Sequence, residues 1–147
     1  MSLAVDTNIL LYASDTQSSF HKSALAFLEE RSTGRELLYF PWPVIMGYLR
    51  IATHGRVFNE PMTPKVARTN IAELLNLPHV RPLGEGPDFW RCYEEISRSA
   101  VIRGNLVPDA HIAAILLEHG VRDIATNDSD FRKFEDLRIH NPLADFT

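Results

Sequence analysis

Three observations predict an α/β fold with a mostly parallel sheet covered by helices. Short apolar runs of strand character alternate with longer segments of helical periodicity along the whole chain. Proline and glycine fall at the changeovers, and neither a repeat nor an internal linker interrupts the alternation. The first and fourth of these apolar runs also end next to acids, at Asp6 and Asp128, as expected where strands of a parallel sheet open onto a binding crevice.

The elements follow in order. Leu3 to Val5 forms the core of a first strand ending at Asp6, and Ile9 to Ala13 belongs to the helix or helical turn after it. Phe20, Ala24, Phe27 and Leu28 share one face of a second helix, with Gly34 beyond it as a stop. "ELLYF", Glu36 to Phe40, reads as the second strand, closed by Pro41 and Pro43, and "VIMGYLRIATH" as the helix that follows. Thr63 and Pro64 are an N-cap and first-turn pair for a helix whose inner face carries Ala67, Ile71, Leu74 and Leu75. "VRPL" is a third strand. Pro87 starts a helix with Trp90, Tyr93, Ile96 and Ala100 in register, and a break falls between Arg98 and Gly104. "VPDAHIAAILLEHG" is the clearest helix, with Pro108 in its first turn and Gly120 at its end. Ile124 to Thr126 and Leu137 to Ile139 supply the last two strands, five in all.

The chain has 147 residues, 45% of them hydrophobic, which suits one domain spanning residues 1–147. Fifteen Lys and Arg against 19 Asp and Glu give a net charge of −4, which is not the footprint of a basic nucleic-acid coat. A cluster of metal-binding carboxylates would inflate the acid count without excluding phosphate chemistry. The lone Cys92 cannot form an internal disulfide, no signal-peptide pattern opens the chain, and no apolar run is long enough to cross a bilayer. A soluble cytoplasmic protein is expected. Packing roles are expected for Phe20, Phe27, Trp42, Phe89, Trp90 and Tyr93, and a buried structural role for Cys92.

Asp6 and Asp128 each follow a short strand core, and Asp109 opens the amphipathic helix, so the three can meet at one sheet edge. Converging carboxylates repel, and a hard divalent cation bound through oxygen supplies the missing charge, with Mg²⁺ or Mn²⁺ suited to the task. Such an ion can activate water for attack on phosphorus. Asn8 is placed to orient a carboxylate or water and Thr126 to donate a hydrogen bond, each against a local role in its own turn. Asp130 is either a fourth acid or a cap for the turn leading to Phe131. The six histidines make no HExxH or zinc-finger spacing and are expected in surface, capping or core roles.

The blocks "VDTNILLYA", "PWPVIMGYLRIATHGRVF", "GNLVPDAHIAAILLEHG" and "IATNDSDF", in that order, resemble the PIN-domain family, specifically its VapC-like ribonuclease toxins and a subgroup abundant in mycobacteria. The resemblance runs from the first strand to "NPL" near the C-terminus. It implies a three-layer α/β/α nuclease domain with Asp6, Asp109 and Asp128 as metal-binding acids. It further implies an Mg²⁺- or Mn²⁺-dependent endoribonuclease acting on an RNA substrate, a small VapB-like antitoxin partner, a homodimer, and contact with DNA only through the antitoxin. Many members of the family carry a glutamate in the helix after the second strand; here that position is Gly47, and no Asp or Glu occurs from Leu37 through Asn59. Arg50, Arg56, Arg103, Arg132 and Lys133 lie in segments expected near the metal-bearing edge, as RNA or antitoxin contacts. Two other functions fit parts of the pattern: a metal-stabilised RNA- or antitoxin-binding protein without efficient turnover, which Gly47 favours, and an Asp-dependent phosphatase, which the lack of a DxDxT arrangement disfavours.

Overall fold

The computed structural model describes residues 2–55 and 60–143. Five parallel strands, β1 (Leu3–Val5), β2 (Leu38–Pro41), β3 (Val80–Leu83), β4 (Asp123–Ala125) and β5 (Arg138–His140), form one sheet in the order β3-β2-β1-β4-β5. The helices are α1 (Thr7–Ser14), α2 (His21–Ser32), α3 (Trp42–Ala52), α4 (Pro64–Leu75), α5 (Phe89–Ser99) and α6 (Leu106–Glu118), with a 3₁₀ turn over Ser129–Lys133.

That strand order sets the layers. The chain steps from β1 to β2 to β3 in one direction, then crosses back over β1 to β4 and onward to β5. Right-handed crossovers therefore put α1 to α4 on one face and α5, α6 and the 3₁₀ turn on the other, giving the α/β/α sandwich. The direction reverses between β1 and β4, so the chain leaves these two neighbours toward opposite faces and opens a crevice at their carboxyl ends.

The sheet centre reads as unbroken apolar sequence because both of its faces are covered. Leu3, Ala4, Val5, Leu38, Phe40, Ile124 and Ala125 are buried together with Val44, Ile45 and Tyr48 of α3 and Ala113, Ile115 and Leu116 of α6. Tyr48 ties its layer together: its hydroxyl lies 2.9 Å from Ser14 Oγ and accepts from Asn70 Nδ2 at 3.1 Å. α4 is capped by Thr63, whose Oγ1 accepts the Val66 N–H at 3.2 Å. α6 ends as its sequence requires, with Gly120 at φ +71° and the Val121 N–H closing on the Leu116 carbonyl at 2.9 Å. Among the described residues no helix is long and apolar enough to cross a membrane.

Several expected boundaries shift. β2 begins at Leu38 rather than Glu36 and includes Pro41, which pairs with Leu83; β1 is too short to reach that far, so the missing N–H leaves no gap on that side. Pro82 is tolerated because β3 is an edge strand. α5 stops at Ser99, leaving Ala100 extended, and its buried residues are Cys92 and Ile96. Trp90 was expected to pack inward but is 64% exposed, stacked on Tyr93 with planes 9° apart. Phe20 and Trp42 are partly covered, at 36% and 40% exposed, with the Phe20 ring 5.1 Å from that of Tyr12.

Candidate metal centre

Asp6 leaves β1 at the crevice and caps α1, its Oδ1 accepting the Thr7 N–H at 2.7 Å. Its Oδ2 accepts the Thr126 hydroxyl at 2.7 Å and lies 3.4 Å from Asn8 Nδ2. Thr126, 1% exposed just past β4, is the hub of the crevice: besides donating to Asp6, its Oγ1 accepts from Asn8 Nδ2 at 3.2 Å and from the Asp128 N–H at 3.0 Å. Asn8 completes the stitch by accepting the Asn127 N–H on Oδ1 at 3.3 Å. Asn8 and Thr126 thus lock the turn after β1 to the turn after β4, 118 residues apart in sequence.

Asp109 enters from the first turn of α6, and Asp128 caps the 3₁₀ turn by accepting the Asp130 N–H at 2.9 Å. One carboxylate oxygen from each of Asp109, Asp128 and Asp130 lies within 4.8 Å of the others. Of the two roles the sequence leaves open to Asp130, the structure favours the acid: Asp130 belongs to the cluster, and the cap of the turn is Asp128, to which Asp130 only donates its backbone N–H. Asp6 faces the same cleft but stands outside this tightest group, with both of its oxygens engaged by neighbouring donors.

The electrostatics show what is missing. Asp109 is pushed up to about 7, first by burial and then by the negative charges of Asp128, Asp6 and Asp130, with Lys133 opposing. Burial also raises the Asp6 carboxyl, against the pull of its hydrogen bonds from Thr126 and Thr7. Within the cluster the only ion pair among the described residues is Lys133 Nζ to Asp130 Oδ1 at 3.4 Å, between exposed side chains. An all-oxygen donor set short of positive charge fits a hard divalent cation such as Mg²⁺ or Mn²⁺.

The cleft over these acids encloses about 280 Å³. α3 supplies Pro43, Gly47, Arg50 and Ile51 to its wall, and α6 supplies Pro108, His111 and Ile112 beside Asp109. Arg50 therefore lies where the sequence places a cation. Arg103 and Arg132 are exposed but do not line the cleft, and Arg56 lies outside the described residues. His111, expected in a surface, capping or core role, lines the cleft, its Nε2 held 2.5 Å from Glu85 Oε1. Nothing in the local sequence announces it, because Glu85 lies 26 residues away and reaches α6 only through the fold.

A family model of the PIN domain matches residues 3–137, and the chain belongs to the PIN-domain family. Within that family its likeness is to VapC proteins of mycobacteria. It is 42% identical over 144 residues to Ribonuclease VapC48 of Mycobacterium tuberculosis, covering 98% of this chain and 99% of the other. It is 35% identical over 144 residues to Ribonuclease VapC37 of the same species, covering 95% of this chain and 96% of the other. The crystal structure of VapBC2 from Rickettsia felis, bound to a DNA fragment from their promoter, shares the fold with a TM-score of 0.68 at 16% identity, over 96% of this chain and 98% of that one.

Proposed function

We propose that this protein is a metal-dependent endoribonuclease toxin restrained by a cognate antitoxin. The observation that carries this reading is the gathering of Asp109, Asp128 and Asp130, with Asp6 beside them, at the one crevice where the sheet reverses direction. The 42% identity to a protein named Ribonuclease VapC48 extends over nearly the full length of both chains and supports the activity.

Asp109, Asp128 and Asp130 would hold Mg²⁺ or Mn²⁺, with Asp6 contributing from beside them. The cation would supply an activated water and offset negative charge developing on the phosphate oxygens. The chain's own residues do the positioning. Thr126 and the Thr7 N–H fix the Asp6 carboxylate in one orientation, and Asn8 holds the two turns at a constant separation. Hydrolysis adds water oxygen to phosphorus and breaks one phosphorus–ribose oxygen bond, so no covalent protein nucleophile is required.

The VapB-like antitoxin partner and the homodimer rest on the family and on the VapBC architecture of solved relatives such as the Rickettsia felis complex. Contact with DNA would then come through the antitoxin.

A cleavage-end survey across a transcriptome tests the activity, comparing wild type with Asp6→Asn, with and without Mg²⁺. New RNA ends that need both Mg²⁺ and Asp6 are the expected result. Ends unaffected by chelation would overturn the chemistry, and an absence of new ends across the survey would favour a binding protein without turnover. Co-expression with the small protein encoded beside it should suppress those ends while light scattering still reports a dimer of the toxin chain.

A further inference from the structure

Asp109, Asp128 and Asp130 come to the cleft from α6 and the 3₁₀ turn, and Asp6 from the N-cap of α1. Beyond Asp6, α1 and α3 line the cleft with a different chemistry: Leu11, Pro43, Gly47 and Ile51 present apolar surface, with Arg50 beside them. Ile51 is half-buried, lines the cleft and, among the described residues, is not part of the hydrophobic core. Arg50 is exposed, and among the described residues no acid pairs with it. α3 brings no negative charge to this wall.

Gly47 leaves room on this wall. A Cβ at this position would come within 3.1 Å of Thr7 Oγ1 and 3.5 Å of Thr7 Cγ2. A side chain here would therefore emerge beside Thr7, the neighbour of Asp6, and into the cleft. The Thr7 hydroxyl is itself committed, donating to the Val44 carbonyl at 3.1 Å. With no side chain at 47 and the Thr7 proton engaged, this half of the cleft has room and apolar surface but few donors for a base edge.

We infer that the α1/α3 wall seats the nucleoside adjoining the scissile phosphate, its base or ribose lying against Ile51 and the surface left open by Gly47, while Arg50 pairs a neighbouring phosphate. The inference rests on the ribonuclease reading and adds to it a division of labour: the acids hold the reacting phosphate, and the apolar stretch of the α1/α3 wall holds the nucleoside attached to it. Contact by shape and apolar area, without hydrogen bonds to base edges, makes this position tolerant of base identity and selective for unpaired RNA, because a base held in a duplex cannot turn onto the wall.

The test measures binding apart from cleavage. Full-length wild type, Ile51→Gln, Ile51→Leu, Arg50→Gln and Arg50→Lys are titrated in EDTA with fluorescent single-stranded 9-mers of A, C or U and with a duplex of the same length. Mn²⁺ affinity is measured in parallel by calorimetry, and circular dichroism confirms folding. The expected result is a five- to tenfold loss of single-strand affinity for Ile51→Gln, about equal across the three bases, from the lost apolar contact. Ile51→Leu should restore binding, and Mn²⁺ affinity should be unchanged. Arg50→Gln, an exposed substitution that leaves packing untouched, should reduce the salt dependence of binding by about one phosphate contact, with Arg50→Lys retaining it.

Unchanged RNA affinity in both Ile51→Gln and Arg50→Gln would overturn the inference. So would a parallel loss of Mn²⁺ affinity, which would assign the wall to the ion, and so would wild type that binds no single strand. Dissociation of an oligomer by Ile51→Gln with RNA affinity intact would reassign the wall to a protein partner. The ribonuclease reading is judged separately by the survey of RNA ends, so cleavage that survives while these binding effects fail to appear removes this inference alone.

Discussion

Strand β4 is three residues long, and there are carboxylates at both of its ends, in opposite electrostatic states. At its start Asp123, 4% exposed, accepts from Arg138 Nε at 3.0 Å and Nη2 at 2.9 Å, with His140 Nε2 lying 2.7 Å from its Oδ1. The Arg138 hydrogen bonds, with a smaller contribution from His140, hold this carboxyl below its usual range. Past its other end, burial and like charge push Asp109 up to about 7 and raise Asp6. One end draws its positive charge from the next strand, since Asp123 and Arg138 are partners in the sheet register. The other end leaves that charge to be supplied from outside. A buried acid with its cation in the chain is a structural clamp on β5; acids gathered without one make a candidate binding site.

The largest expected effects come from removing acids at the two ends. Asp109→Asn should lower metal-dependent RNA cleavage by about a hundredfold or more, since even the supporting partners of metal ligands are worth 10- to 100-fold. In the metal-free protein at pH 8 the same change should raise the melting temperature, by about 2–4 °C for relief on the order of 1 kcal/mol after solvent screening. Asp123→Asn should do the reverse. Stability should fall by about 1–3 kcal/mol in urea titrations as charge-assisted hydrogen bonds are lost, while cleavage per folded molecule is unchanged. If Asp109→Asn destabilises the metal-free protein, or Asp123→Asn abolishes cleavage without unfolding it, the contrast between the ends is lost.

Much of the acid end was legible in sequence because Asp6 and Asp128 interrupt or follow apolar runs, and a charge bordering a core requires a partner. Asp109 was legible from its place in the first turn of a strongly patterned helix. A mostly parallel sheet covered by helices followed from the alternating elements, and its three layers from the family resemblance. The clamp end was not legible. Asp123, Arg138 and His140 meet only through the parallel register of β4 and β5, and neither strand carries an alternation that fixes register from sequence. The same reason hid the His111–Glu85 contact and the apolar half of the cleft, whose residues come from two helices. An aromatic at helical spacing reads as core, but Trp90 is exposed because the buried stripe of α5 runs through Cys92 and Ile96.

The two ends also predict opposite responses to pH. A carboxyl raised in the folded state binds more protons when folded than when unfolded, so Asp109 contributes stability below its unfolded value near 4, and that contribution is lost as pH rises through about 7. Asp123 is lowered, so its contribution is present above its ordinary value and lost as pH falls through the depressed one. Metal-free protein should therefore lose stability between about pH 4 and pH 7 through Asp109, and below pH 4 through Asp123. Thermal melts of wild type, Asp109→Asn and Asp123→Asn across that range separate the two, because each variant removes one of the two carboxyls and keeps the other. Saturating Mn²⁺ at pH 8 should restore what the upper window removes; a melting temperature indifferent to Mn²⁺ would count against the metal centre.

The smallest expected effect is the most direct test of where each end finds its cation. Lys133 Nζ lies 3.4 Å from Asp130 Oδ1 between exposed side chains, a pair of the kind that adds little to stability. Its charge nonetheless opposes the rise in Asp109 and competes with any incoming ion for Asp130. At pH 8, where Asp109 is mostly ionised, Lys133→Met should leave the melting temperature of the metal-free protein within about a degree and tighten Mn²⁺ binding by about two- to threefold. Arg138→Met, removing a cation from the other end, should lower the melting temperature and leave Mn²⁺ affinity unchanged, because it strands Asp123 without touching the cleft. Calorimetric titration of the two variants side by side decides the matter. Weaker Mn²⁺ binding in Lys133→Met would make the lysine a partner of the bound state rather than a competitor, and the acid end would then carry part of its own counter-charge, as the clamp does.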